Sequence, residues 1–262
     1  MDIMTFVVGV AFVFGAHIGS FVNVVALRLH TGEPIARGRS HCADCRHVLE
    51  WFELVPLVSY LVLRGRCLTC KKTIAVRYFG VEVVMGILFA AAAGGLFVLD
   101  DPLSWLSIAL WFVVIAGLGI IFLYDLDHYL IPNVVLYPLF VVTAIGIAVL
   151  YPDEFLIRVG VGFSAALFFY IIHVVTKGRG MGLGDVKFSL LIGVLLGPVL
   201  TISAMFVAFV SGAAVGLVLI ARQQKQLSSQ IPFGPFLVGG TLLIGILSFY
   251  FDISQLMQWY MY

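Results

Sequence analysis

Two aspartates are placed where their carboxylates could do chemistry at a membrane boundary. Asp125 lies in the segment Tyr-Asp-Leu-Asp-His-Tyr-Leu-Ile-Pro-Asn (124–133), and Asp185 follows a run of alternating glycines between residues 178 and 184. Both stand at the ends of apolar, membrane-length segments. Because a carboxylate beside hydrocarbon is costly, acids at such positions are expected by default to be functional. The pair is therefore predicted to be a catalytic or a transport dyad.

Two carboxylates brought together at a partly dry site cannot both ionise readily, because the second negative charge would lie beside the first. One keeps its proton while the other acts as a base on water, and the pair titrates as a unit. This is the chemistry with which aspartic proteases hydrolyse peptide bonds. The glycine run before Asp185 lacks side-chain bulk, so a peptide backbone could approach it closely.

Asp127 competes with Asp125 for the first position of the pair. Two residues apart on a helix, their side chains point about 200° apart, so only one of them can face Asp185. The residues alone do not choose between the two. Composition is equally compatible with acids that simply mark the ends of loops in water. Lys187 and His128 could tune the pair, although boundary residues in water are the simpler interpretation.

The four cysteines of the chain form one spacing pattern, Cys-x2-Cys-x21-Cys-x2-Cys, at Cys42, Cys45, Cys67 and Cys70. Each Cys-x-x-Cys pair places two thiolates on one tight turn, and two such knuckles complete a tetrahedral zinc site. Four sulfur ligands leave no open position, so the zinc is expected to be structural. His41 and His47 flank the first knuckle and could substitute as ligands. Disulfides or free thiols are the alternative, and a cytosolic location argues against disulfides.

The composition is that of a polytopic membrane protein. Of the 262 residues, 62% are hydrophobic and 11% charged, with a mean hydropathy of +1.11, whereas soluble domains carry about 25% charged residues. The fold class is therefore predicted to be all-α, with about eight transmembrane helices and a small cytosolic zinc-knuckle insertion. A span needs about 20 mainly apolar residues, and the predicted spans are 4–27, 79–99, 103–124, 134–151, 155–176, 185–197, 199–221 and 234–251.

Three domains are predicted along the chain. Residues 1–27 are a retained first transmembrane helix, since no basic segment or cleavage site marks them as a signal peptide. Residues 28–78 form the zinc-binding insertion, and residues 79–262 form the transmembrane core. A turn at Gly197–Pro198 is expected to separate the sixth span from the seventh.

The charge distribution predicts which side of the membrane each loop of the chain faces. Residues 28–77 hold nine of the fifteen lysines and arginines against four acids, a net charge of +5. Basic loops stay in the cytosol, which places the insertion and both aspartates there and both termini outside. The outer side then holds six acids and one basic residue: Asp2, Asp100, Asp101, Asp153, Glu154, Asp252 and Arg158. Nucleic-acid binding is disfavoured, because no known binding motif or interleaved aromatic residue accompanies the basic segment.

The chain resembles the type IV prepilin peptidases, also called bifunctional leader peptidase/N-methyltransferases. The matching segments are Gly19–Val25 with Arg28-Leu29, the four cysteines, Trp51–Pro56, Arg64–Cys67, Arg77-Tyr78 with Glu82, Asp125–Asp127 with Leu130–Asn133, Gly180–Lys187 and Ile231–Phe236. The resemblance implies an intramembrane aspartyl protease of the Gly-x-Gly-Asp type. It implies Asp125 and Asp185 as the catalytic residues, because the family's first aspartate precedes a Leu/Ile-Pro step by about six residues.

The same resemblance implies the substrates and the membrane. These would be type IV prepilins or type II secretion pseudopilins, with a short basic leader ahead of a hydrophobic helix, cut at the cytosolic face of the cell inner membrane. It also implies N-methylation of the new N-terminus with S-adenosylmethionine, for which the residues reveal no donor site. The alternatives are a peptidase without methyltransferase activity, a non-enzymatic pilus or secretion assembly subunit, and a proton-coupled transporter. No oligomeric state is predicted.

Overall fold

The computed structural model describes residues 2–35, 38–42, 44–98, 103–222 and 232–251. The chain divides into two compact units, Met1–Phe97 and Val98–Tyr262. The described residues are helical and contain no strand longer than an isolated bridge. Ile231 of the family-like segment, and the predicted outer acids Asp100, Asp101 and Asp252, lie outside the described residues.

The first unit contains α1 (Ile3–Thr31), a 3-10 turn (Trp51–Leu54), α2 (Val58–Val62) and all but the last residue of α3 (Val76–Val98). The second contains α4 (Ser104–His128), α5 (Asn133–Leu150), α6 (Phe155–Val175), α7 (Leu183–Ala221) and α8 (Gly234–Leu247). The long helices are apolar around most of their circumference. A helix satisfies its own backbone hydrogen bonds, which makes it suited to hydrocarbon surroundings.

Within the described ranges, six helices are long and apolar enough to cross a membrane: α1, α3, α4, α5, α6 and α7. The prediction of an all-helical, polytopic membrane protein is thereby confirmed. The sixth and seventh predicted spans form the single helix α7, which is broken at Gly197 (φ 74°, ψ −172°) immediately before Pro198. The eighth predicted span, 234–251, is helical only as far as Leu247. The structure therefore supports several spans without fixing the number at eight.

Arg158 of α6 supports the break in α7. Proline lacks the N–H that continues a helix, and the Arg158 guanidinium donates to the carbonyl of Leu195 at 2.9 Å. The same side chain pairs with Glu154 at 2.8 Å and lies 4.5 Å from the centre of the Tyr151 ring. The break thus has a side-chain donor for one carbonyl of the helical turn that precedes it.

Small residues let the helices of each unit approach closely. In the first unit, a Cβ at Gly19 would lie 2.8 Å from the Cα of Glu82, so α1 rests directly on the backbone of α3. This contact brings Asn23 near the start of α3, where its amide donates to the Tyr78 carbonyl at 3.2 Å. In the second unit, a Cβ at Gly193 of α7 would collide with Gly162 of α6. Such small-residue contacts are typical of membrane helix packing.

The first part of α7 occupies the centre of the second unit. Its inner residues are almost all buried, among them Phe188, Leu191, Ile192 and Val194. Because Asp185 lies in the first turn of this central helix, the fold carries a carboxylate into the protein interior at one end of the helix.

Candidate active site and cysteine cluster

Asp125 lies one turn before the end of α4 and is only 4% exposed. The helix ends at Tyr129, whose backbone is left-handed (φ 58°) and whose N–H donates to the Asp125 carbonyl at 2.9 Å. Leu126 and Asp127 are exposed on the other side of the same turn. The two competing aspartates therefore differ in burial as the helical geometry requires, and Asp125 is the one that faces the protein.

Gly234, the first residue of α8, contacts Asp125 directly. Its backbone N–H donates a hydrogen bond to the Asp125 carboxylate. A Cβ at Gly234 would collide with Oδ2 of Asp125 and lie 3.0 Å from its Cγ, so only glycine leaves room for this approach. The N–H groups at a helix start have no partner in the helix and carry a partial positive charge. The carboxylate is therefore held at the favourable end of α8.

The residues alone predict no role for Gly234 beyond its place in the family-like segment 231–236. A glycine followed by proline at the start of an apolar run does predict a helix N-terminus, and Pro235 lies in the first turn of α8. No local pattern, however, links this helix to an aspartate more than a hundred residues earlier in the chain.

Asp185 occupies the third position of α7 and is 9% exposed. Its Oδ2 accepts the N–H of Gly182 at 3.1 Å, which satisfies one of the free donors at the start of the helix. The next residue back, Gly184, lies against Ile131, since a Cβ there would come within 3.2 Å of the Ile131 Cβ. The side chain of Asp185 is thus anchored by its own helix start.

The glycine run before Asp185 is anchored to α6. His173 Nδ1 bonds to the Met181 carbonyl at 2.7 Å, and the Gly180 N–H donates to the Thr176 hydroxyl at 3.1 Å. Gly178 has a left-handed backbone (φ 76°), which turns the chain after α6. These contacts hold the run against the end of α6 as far as Met181.

Asp125 and Asp185 share one site within the second unit. The charge of Asp125 acts on Asp185, so the C-terminal end of α4 and the N-terminal end of α7 place the two carboxylates within electrostatic range of each other. Each accepts a backbone N–H from the start of a different helix, Asp125 from Gly234 of α8 and Asp185 from Gly182, which precedes α7. Neighbouring carboxylates of this kind can share one proton, which leaves one acid and one base.

Lys187 and His128, the two residues that could tune the aspartate pair, each contact a residue outside it. The Lys187 ammonium donates to Oδ1 of Asn133 at 3.2 Å and lies 5.6 Å from the centre of the Tyr137 ring. It therefore joins the start of α7 to the start of α5. The His128 ring contacts Tyr124, with the ring centres 4.6 Å apart.

Aromatic side chains surround Phe233, the residue before Gly234. The centre of its ring lies 5.0 Å from that of Phe209, 6.2 Å from that of Phe169 and 6.4 Å from that of Phe236. Phe169 and Phe209 stack at 5.8 Å. Contacts between α6, α7 and the start of α8 thus fix the position from which Gly234 reaches Asp125.

The four cysteines of the first unit come together as the spacing predicted. Their sulfur atoms all lie within 4.8 Å of one another, with Cys42 to Cys70 and Cys45 to Cys67 each at 3.9 Å. All four are free thiols. A tetrahedral zinc site with Zn–S bonds of about 2.3 Å has its sulfurs roughly 3.8 Å apart. The cluster could therefore hold a metal ion with little rearrangement.

The two Cys-x-x-Cys turns have the same backbone geometry. The Cys42 N–H bonds to the His47 carbonyl and the Cys67 N–H bonds to the Lys72 carbonyl, each at 2.9 Å. Arg46 and Lys71, four residues after the first cysteine of each turn, are both left-handed, with φ of 57° and 59°. Such paired turns direct their sulfurs toward a common centre.

Backbone donors act on one of the thiols. The N–H groups of Cys70 and Thr69 hydrogen-bond to the sulfur of Cys67 and lower its pKa to about 7. Hydrogen bonds to the charged form favour the thiolate, which is the form that binds metal. Cys67 is thus prepared to ligate at neutral pH, whereas desolvation and the neighbouring cysteine side chains raise the pKa of Cys70, in the same turn, to about 11.

Buried acids of the first unit support the insertion. Glu53 accepts His47 Nε2 and the Glu50 N–H, each at 2.9 Å, so His47 is engaged beside the cluster. Glu82 of α3 accepts the Leu57 N–H at 2.8 Å. That bond gives the acid within this apolar helix a partner and attaches the start of α2 to α3.

Comparisons with known proteins match both units. A profile for the bacterial peptidase A24 N-terminal domain matches residues 13–95, and the type IV leader peptidase family matches residues 112–217. Three similar curated proteins are each named prepilin leader peptidase/N-methyltransferase. The Myxococcus xanthus protein is 34% identical over 80% of this chain and 62% of its own length. The Pseudomonas putida protein is 30% identical over 87% and 86%, and the Bacillus subtilis protein is 30% identical over 94% and 98%. No solved structure matches the chain.

Proposed function

Since this chain belongs to the type IV leader peptidase family, we propose that it is a prepilin leader peptidase that also methylates the residue exposed by cleavage. Its substrates would be type IV prepilins or type II secretion pseudopilins. The observation that carries the proposal is the shared site of Asp125 and Asp185, two buried carboxylates whose charges interact at adjoining helix ends.

In the proposed reaction the two aspartates divide the roles of base and acid. The ionised carboxylate takes a proton from water as the water oxygen attacks the carbonyl carbon of the scissile peptide. The protonated partner gives its proton to the carbonyl oxygen, which produces a tetrahedral diol. Collapse of the diol breaks the C–N bond, and a proton passes to the departing amine. The N–H groups of Gly234 and Gly182 orient the two carboxylates throughout.

We place this site at the cytosolic face of the cell inner membrane, with both termini outside. The charge distribution supports this orientation, because the insertion carries the excess of basic residues. Eight crossings result if the two parts of α7 cross separately and α8 also crosses. The domains proposed on this basis are residues 1–27, 28–78 and 79–262.

We propose that Cys42, Cys45, Cys67 and Cys70 hold a structural zinc ion. When bound, the ion would join the two turns and stabilise an insertion too small to form a large core. Methyl transfer would use S-adenosylmethionine, which supplies the methyl group to the new N-terminal amine. That part of the proposal rests on the names of the relatives.

Cleavage of a prepilin by purified, lipid-reconstituted protein tests the proposal. We expect Asp125→Asn and Asp185→Asn each to lower the rate by at least about 100-fold, because each removes a proton-transferring group. Asp127→Asn is the matched control and should remain active. Activity retained in all three variants would refute the aspartyl mechanism. Mass spectrometry of the product with S-adenosylmethionine tests methylation separately, and an unmethylated product would leave a peptidase alone.

A further inference from the structure

The insertion exposes an apolar surface outside the membrane-spanning helices. Val58, Leu61 and Val62 occupy one face of the short helix α2 and are 56%, 63% and 74% exposed. Their spacing of three and four residues places them side by side. Trp51, in the 3-10 turn that packs on α2, is 76% exposed. Grouped apolar side chains outside a membrane helix mark a surface that has a partner.

A cationic cleft adjoins this apolar surface. The chain leaves α2 at Leu63 and enters a cleft of about 330 Å³, lined by Leu63, Arg64, Arg66, Cys67, Leu68 and Lys71. In the described part of the chain, no acidic side chain pairs with any of the three cations in this lining. Neighbouring Lys72, by contrast, pairs with Asp44. A zinc ion with four thiolates carries about two negative charges, fewer than the three cations supply.

We propose that the segment 51–71 docks on the surface of the bilayer. Its apolar side chains enter the interface, and the cleft binds the phosphate of an anionic phospholipid headgroup. Apolar groups beside cations are the combination that binds anionic membranes. Lys71 precedes the first residue of α3, Val76, by five residues, so even an extended chain keeps them within about 17 Å of each other. The cleft is therefore tethered close to a membrane-spanning helix.

Trp51 provides the readout. The full chain would be placed in nanodiscs that contain phospholipids brominated near the headgroup, and the Trp51 signal would be the difference between wild type and Trp51→Phe. We expect brominated lipid to quench this signal, and more strongly when phosphatidylglycerol is included. Three single variants test the cleft. Each should lower the equilibrium constant for docking by about fivefold, seen as weaker quenching: Arg64→Gln, Arg66→Gln and Lys71→Gln.

Arg46→Gln is the matched control, because Arg46 occupies in the first knuckle the position of Lys71 in the second. It should leave the quenching unchanged. Inorganic phosphate, added at constant ionic strength, distinguishes a lipid headgroup from a free anion as the ligand of the cleft. Quenching that does not depend on phosphatidylglycerol but changes with phosphate would identify a free anion and overturn the proposal. Quenching by aqueous iodide instead of brominated lipid would place the surface in water. Quenching by neither would mean that protein covers it, which also overturns the proposal.

Metal content and thermal unfolding should match wild type in every variant. This requirement separates loss of docking from loss of the folded insertion.

Discussion

The backbone of Gly234 and the carboxylate of Asp125 are in direct contact, and the space between them excludes even one methyl group. The contact joins two helices that are far apart in the chain. It gives the carboxylate a hydrogen-bond donor that no side-chain rotation can withdraw. We therefore regard Gly234 as a positioning residue for Asp125.

Gly234→Ala should lower kcat for prepilin cleavage by about 100-fold, the cost typical of a small misplacement of a catalytic group. KM should change little, because the added methyl group would contact the Asp125 carboxylate, which acts in the chemical step. Gly239→Ala is the matched control: it makes the same substitution on the same helix, where an added Cβ meets nothing within 4 Å. Steady-state kinetics of the two variants checks the prediction. Equal activity would show that the contact does not position Asp125.

Cys67→Ser should remove most of the bound metal and lower the thermal stability of the insertion. The replacement takes one of four sulfur ligands from a cluster whose sulfurs lie within 4.8 Å of one another. Thr69→Ser changes a residue of the same turn without removing a ligand. Metal analysis of the purified variants, together with thermal unfolding, checks the prediction. Full metal retention in Cys67→Ser would exclude the four-cysteine site.

Zinc uptake by the metal-free protein should weaken as the pH falls below about 7. Backbone donors lower the pKa of Cys67 to about 7 from the ordinary value of 9.0, so its thiolate prevails above that pH and is lost below it. The pKa of Cys70 is raised to about 11, so its thiol must lose a proton to the metal throughout this range. Protons then compete with the metal. Competition with a chromophoric chelator between about pH 8 and pH 6 measures the effect after correction for the chelator's own protonation. Uptake independent of pH over this range would contradict the prediction.

Lys187→Gln should leave the pH dependence of cleavage unchanged. The ammonium of Lys187 binds Asn133, so its loss should cost stability of about 1 kcal/mol without altering proton sharing between the aspartates. The pH–rate profile is the informative measurement, since a residue that tunes the pair would shift it. A shifted pH–rate profile in Lys187→Gln would show that Lys187 acts on the aspartate pair.

Glu82→Ala should destabilise the protein by about 1–3 kcal/mol, because it leaves the Leu57 N–H without its acceptor. Glu82→Gln keeps a side-chain oxygen at nearly the same place and should cost less. Thermal unfolding in one detergent ranks the two variants. If both unfolded at the wild-type temperature, the bond between α2 and α3 would contribute nothing measurable.

Local chemistry predicted the parts of this molecule that depend on short spacing. The cysteine cluster follows from two Cys-x-x-Cys turns, because each turn fixes its own pair of ligands. The choice between Asp125 and Asp127 did not follow from the residues alone, since helical geometry says only that they face opposite ways. Burial against the rest of the second unit distinguishes them.

The predicted spans differ from the helices for a related reason. Hydropathy records apolar composition, whereas a helix ends where its backbone hydrogen bonds end. Residues 248–251 are apolar enough to extend a span, but the chain leaves the helix after Leu247. The turn expected at Gly197–Pro198 does coincide with the break in α7. Proline lacks a backbone N–H, and because this effect is local, the sequence alone locates it.

The support that Arg158 gives to the broken helix also bears on how the chain is oriented during insertion. Arg158 is the lone basic residue on the side predicted to face outward. Taken alone, it opposes the charge bias that retains positive loops in the cytosol. Its guanidinium, however, is paired with Glu154 and bonded to the Leu195 carbonyl. That pairing does not cancel the residue in the positive-inside count, which gives acids little weight, but the nine lysines and arginines of residues 28–77 outweigh it. The exception therefore weighs little against the cytosolic retention of the basic insertion.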